Sequence, residues 1–142
     1  MLVFHAQNIR LHWLSKERVL VKTCTGYVPS DGLRQACEAA LGCLEQNKGN
    51  KVLSDNRGLV PTAQADLTWI ERDWAPRMAA AGWRYWAVLE PTTALGAMNV
   101  RRWVAIYREL GIAIEAFQDA GEAIVWLQRQ PDDGVEPARR LP

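Results

Sequence analysis

The sequence predicts an α/β fold: a mixed, mostly parallel sheet opened by an antiparallel hairpin and flanked by helices, in the order ββαβαβαβα. Three observations carry this. Residues Ile9 to Thr23 alternate with period two, as half-buried strands do. From Asp31 onward, segments with apolar residues every three or four positions alternate with short β-favouring runs. Strands separated by helices of this length are joined most simply by right-handed crossovers, which make parallel pairs. At 142 residues the chain fits one core, so a single domain is expected over 1–130, with a disordered tail over 131–142.

Taking the elements in order, Met1 to His5 reads as a short edge strand. Ile9, Leu11 and Trp13 then alternate with Arg10, His12 and Leu14, and after the turn at Ser15-Lys16-Glu17 a second run alternates from Arg18 to Thr23. The short connection makes the pair an antiparallel hairpin. Gly26 and Pro29 end the pattern, and Ser30 is placed to cap a helix over Asp31 to Gln46 whose stripe is Leu33, Cys37, Ala40, Leu41 and Leu44. Lys51 to Asp55 is a strand. Thr62 is read as the cap of a helix from Ala63 to Ala81, which Pro76 breaks near Trp74-Ala75 because proline has no N–H for the helical ladder. Trp83 to Glu90 is a buried strand ended by Pro91. A helix over Ala94 to Leu110 and a strand over Ala113 to Phe117 follow. Asp119, with Glu122 three positions later, caps a last helix running to Arg129.

Composition narrows the function. Seventeen basic and 16 acidic side chains leave a net charge of +1, which removes the uncompensated cations that a non-specific nucleic-acid binder needs. No apolar run approaches the ~20 residues that cross a bilayer, and the N-terminus lacks a leader pattern, so membrane insertion is not expected and a cytoplasmic location is. Cys24, Cys37 and Cys43 are odd in number and lack CxxC spacing. Cys37 reads as a small core residue, and Cys43 falls on a different face, open to solvent. His5 and His12 have no third partner for zinc, so no metal site is expected. Phosphate-cradling glycine motifs and a GxSxG elbow are both missing, so neither a cofactor nor a catalytic residue is assigned.

Two groups are candidates for ligand or partner binding. Asp55, Asn56 and Arg57 follow the end of a parallel strand, where open α/β sheets collect ligands, and Arg57 could hold a carboxylate or phosphate with Asp55 fixing its orientation. The competing reading has Asp55 and Arg57 bonding each other or the loop backbone. The second group is Asp66, Trp69 and Asp73, with Trp69 off the apolar stripe and so available for contact, unless another element covers it. An exposed Trp69 or a hairpin edge strand would also serve a homodimer. Of the seven tryptophans, Trp13, Trp74, Trp86 and Trp103 fall on apolar faces.

Leu53-Ser54-Asp55-Asn56-Arg57, Trp69-Ile70, Asp73-Trp74-Ala75-Pro76, Ala87-Val88 and Phe117-Gln118-Asp119 with Glu122-Ala123 and Trp126-Leu127 give the chain a resemblance. It resembles small bacterial STAS-like proteins, the group named after sulphate transporters and anti-sigma-factor antagonists. The resemblance implies a mixed sheet flanked by helices. It does not bring the antagonists' phosphorylated serine: the Asp-Ser-[Ser/Thr/Ala]-Gly turn is replaced by Leu59-Val60-Pro61-Thr62-Ala63-Gln64, where Thr62 is the one hydroxyl available for modification. The leading expectation is a non-enzymatic, regulatory STAS-like module that binds a protein partner or small ligand. The alternative is a lipid- or small-molecule-binding protein with an apolar cavity. A cavity of roughly 300 Å3 would favour a carrier; a packed core with an exposed apolar patch would favour a protein-binding module. A hydrolase or transferase would need Asp55, Arg57 and His12 to converge in one cleft.

Overall fold

The computed structural model describes residues 1–90 and 94–132. Six strands form one sheet in sequence order: β1 (Leu2–Ala6), β2 (Ile9–Leu14), β3 (Val19–Cys24), β4 (Lys51–Asp55), β5 (Tyr85–Leu89) and β6 (Ala113–Phe117). The first three pair antiparallel and the rest add in parallel, as the mixed α/β reading expects. Two left-handed residues close the hairpins. Asn8 (φ 63°) turns β1 into β2, and Arg18 (φ 60°) turns β2 into β3 while its guanidinium donates to the carbonyls of Asn47 and Lys48.

Helix α1 (Ser30–Asn47), α2 (Gln64–Trp69), a π-helical turn (Ile70–Trp74), α3 (Ala75–Ala80) and α4 (Ala94–Arg108) carry the connections, and α5 (Ala120–Gln128) is the last described element. Side chains of α1, the α2–α3 segment and α4 pack with one face of the sheet in the larger core. Ala123 and Leu127 of α5 cover the other face, against Val19, Leu53, Ala87 and Leu89. The middle strands β4 and β5 are therefore buried on both sides, and β5 reads as a continuous apolar run rather than an alternating one.

Several local expectations change. Ser30 does not cap α1: the helix begins at Ser30 after Pro29, and the Ser30 hydroxyl donates to Asp66 Oδ1 at 2.6 Å. Thr62 does not cap the next helix either, because the turn preceding it is Ala63, with no side-chain cap. Asp119 does cap α5, accepting from the Glu122 N–H at 3.0 Å. Cys43 is buried with Cys24 and Cys37, because α1 is covered on more than one side. Pro131 and Asp132, assigned to a disordered tail, are tied to the sheet: Asn50 Nδ2 donates to the Pro131 carbonyl at 3.0 Å and Lys51 Nζ to Asp132 Oδ1 at 2.5 Å. The remainder of that tail, 133–142, lies outside the described residues.

Candidate functional site

A partly enclosed, largely apolar cavity of about 110 Å3 lies between the sheet and the helices that pack on its first face. Its floor comes from alternate residues of the central strands, Leu20 and Lys22 from β3, Val52 and Ser54 from β4 and Trp86 from β5. Its roof is built around the break that Pro76 imposes. Where proline removes the next helical donor, the Ala75 N–H bonds the Ile70 carbonyl five residues back, so the ladder slips by one residue without stranding a second group. The widened turn sends Ile70, Glu71 and Trp74 to the cavity wall.

The wall is aromatic. Trp83 lies 5.6 Å from Trp74, 5.3 Å from Trp86 and 5.6 Å from Tyr107, centroid to centroid, and Trp86 stacks on Trp103 at 5.4 Å. Three indole N–H groups are already bonded: Trp74 to the Cys37 carbonyl, Trp83 to the Tyr85 carbonyl and Trp86 to Ser54 Oγ. These rings therefore present carbon to the cavity. Burial pushes the Cys37 thiol up to about 12, so this cysteine lines the cavity as an apolar group and not as a nucleophile.

The polar end is formed at the loop after β4. Asn56 is 4% exposed, and its Nδ2 donates to Glu90 Oε1 at 3.4 Å, while its Oδ1 has no hydrogen-bond partner among the described residues. Burial raises the Glu90 carboxyl above its usual range, against the opposing effects of Asn56 and Lys22. Gly58 lets this loop lie on β3, since a Cβ there would meet the Cys24 carbonyl oxygen at 3.0 Å. Leu59 and Thr62 continue the lining from the same loop.

The residues singled out from sequence separate into different roles. Asp55 and Arg57 satisfy each other: Arg57 Nε and Nη2 donate to the two carboxylate oxygens at 3.0 and 2.9 Å, and the Arg57 backbone N–H donates to Oδ1 at 3.2 Å. Asn56, between them, is turned inward. The Arg57 guanidinium holds the Asp55 carboxyl below the usual carboxylate range. The folded chain thus binds that proton less readily than the unfolded chain, so the pairing stabilises above the ordinary carboxylate range and is lost as pH falls through and below it. Acid unfolding of Asp55→Asn, followed by circular dichroism, is expected to show a shallower loss of stability below pH 4 than the unaltered chain.

Asp66, Trp69 and Asp73 do not form an exposed face. Asp66 is 2% exposed and accepts from Ser30 Oγ and from Arg34 Nε at 3.1 Å, tying α2 to α1. The Arg34 guanidinium lies 4.8 Å from the Trp69 ring centre, so the half-buried indole packs on the core beneath a cation. Asp73 is on the surface, paired with Arg77, which also binds Glu38. Thr62 is half-buried at the cavity. His12 stands opposite Val21, in register with Leu53, which places it two strands and two residues from Asp55. That is about 10 Å across the sheet and about 7 Å along it, so Asp55, Arg57 and His12 do not converge. No cluster of three metal-ligating side chains occurs among the described residues.

Sequence reasoning missed Lys22, Trp83 and Tyr107 as cavity residues. For Lys22 the signal is parity: it shares a face with Leu20 and Cys24, both in the larger core. The assignment failed because Val19 and Val21 are apolar too, and both faces of β3 pack against side chains. Trp83, expected at the start of the strand Trp83 to Glu90, instead precedes β5 and is 1% exposed at the centre of the aromatic cluster.

No protein family, curated protein or solved structure matches this chain. No helix among the described residues is long and apolar enough to cross a membrane.

Proposed function

We propose that the protein is a non-enzymatic, STAS-like binding module that takes a small apolar ligand, of single-ring size, into the cavity between its sheet and its helices. The observation that carries this reading is the cavity itself: apolar space walled by Trp74, Trp83, Trp86 and Tyr107 with Asn56 Oδ1, unpartnered among the described residues, at its end. Its 110 Å3 falls short of the roughly 300 Å3 expected of a lipid or small-molecule carrier. It is of the order of the ~150 Å3 apolar cavities that take up benzene. The mixed sheet flanked by helices is the architecture the STAS-like resemblance implies, and it supports that part of the reading.

Titration of the full chain with toluene, followed by amide NMR, is expected to give saturable shifts around Ser54 to Asn56 and Trp83 to Trp86. An affinity on the order of 0.1–1 mM suits so small a ligand. Ala40→Leu, which extends a lining side chain into the space, is expected to abolish those shifts while the fold persists. Shifts that never saturate, or that survive Ala40→Leu unchanged, would count against the cavity as the binding site.

A further inference from the structure

Resting on that cavity reading, we infer that the ligand is a neutral apolar alcohol or phenol whose single hydroxyl is recognised by Asn56 and Lys22. Asn56 lines the cavity at 4% exposure; its amide N–H is spent on Glu90, and its Oδ1 is left without a donor among the described residues. A buried acceptor without a partner calls for a hydrogen-bond donor from elsewhere. The wall does not supply one from Trp74, Trp83 or Trp86, because each of those indole N–H groups is bonded to another acceptor. Lys22, half-buried, also lines the cavity, and it makes no hydrogen bond or ion pair among the described residues.

The two groups ask for opposite things, an acceptor that wants a donor and an ammonium that wants an acceptor. One hydroxyl meets both, its O–H donating to Asn56 Oδ1 and its oxygen accepting from Lys22 Nζ. An ether or ketone offers no donor to Asn56. A carboxylate also lacks the donor and would face the Glu90 carboxyl behind the amide. An ammonium would be repelled by Lys22. The rest of the molecule has only carbon to meet, which fits an aromatic ring or a short branched chain.

The test compares three ring compounds of similar size on the full chain by amide NMR titration: phenol, toluene and benzoate. Phenol is expected to bind about tenfold more tightly than toluene, the size of effect that one satisfied hydrogen bond produces. Benzoate is expected to bind most weakly. In Asn56→Leu, which keeps the volume and removes the acceptor, phenol and toluene should bind within about twofold of each other. Equal binding of phenol and toluene to the unaltered chain overturns this inference and leaves the cavity reading standing, and that comparison holds whether or not Asn56→Leu folds. Benzoate binding more tightly than phenol overturns it in favour of an acid ligand. Failure of all three to saturate overturns the cavity reading and this inference together.

Discussion

Trp83→Ala is expected to lower the unfolding free energy by about 3–5 kcal/mol, the cost of removing a large aromatic side chain from a packed interior. Trp83 is 1% exposed and touches three other rings, Trp74, Trp86 and Tyr107, so its removal takes away contacts from both the roof and the floor of the cavity. Its indole N–H bonds the Tyr85 carbonyl, and that acceptor at the start of β5 would be left to water. A loss of this size is a large part of the ~5–15 kcal/mol that holds a typical domain together. Urea unfolding followed by far-ultraviolet circular dichroism measures it. A cost below about 1 kcal/mol would mean that the remaining rings collapse into the space, and a wall that collapses so easily would not hold a cavity open for a ligand.

The second large effect is expected at Lys51, the first residue of β4. Lys51 is 0% exposed, and its ammonium bonds Asp132, which lies just after α5 and is 66% exposed at its side chain. Lys51 holds the Asp132 carboxyl below the usual carboxylate range. Asp132→Asn is expected to cost about 1–2 kcal/mol, because it strands a buried ammonium while the carboxylate it removes was well hydrated. Lys51→Met is expected to be within about 1 kcal/mol of neutral, since an apolar chain of similar length needs no partner there. Adding Asp132→Asn to Lys51→Met should then cost almost nothing more. Equilibrium denaturation of the three variants tests this. Additive costs would show that the pair does not act as a unit. The sign with pH follows from the depressed carboxyl: the contribution is present above the ordinary carboxylate range and fades as pH falls below it.

Most of the fold is legible in the residues. The alternation of Ile9, Leu11 and Trp13, the stripe of α1 and the Asp119 cap are local features, fixed by side-chain period and nearest-neighbour hydrogen bonding, and the structure has them where the pattern puts them. Pro76 announces its break for the same reason, since a missing N–H acts within one turn. The caps that failed, Ser30 and Thr62, failed because a tertiary partner competed for the hydroxyl or the helix began a residue later. Trp69, which sits off its own helix's stripe, is covered by Arg34 of α1, a residue 35 positions away in sequence that no local pattern connects to it.

The sequence by itself determined the α/β class, the antiparallel opening, the order of strands and helices and the apolar placement of Trp13, Trp74, Trp86 and Trp103, because these depend on period and on short-range stereochemistry. Only the tertiary structure decided which of three consecutive polar residues matters inside. Asp55 and Arg57 close on each other at the surface, while Asn56 between them turns under the loop that Gly58 lets lie on β3. It also decided that the rings surround space rather than fill it, since whether large side chains leave a void depends on how helices and sheet meet, and packing of that kind is a property of the assembled layers and not of any one segment.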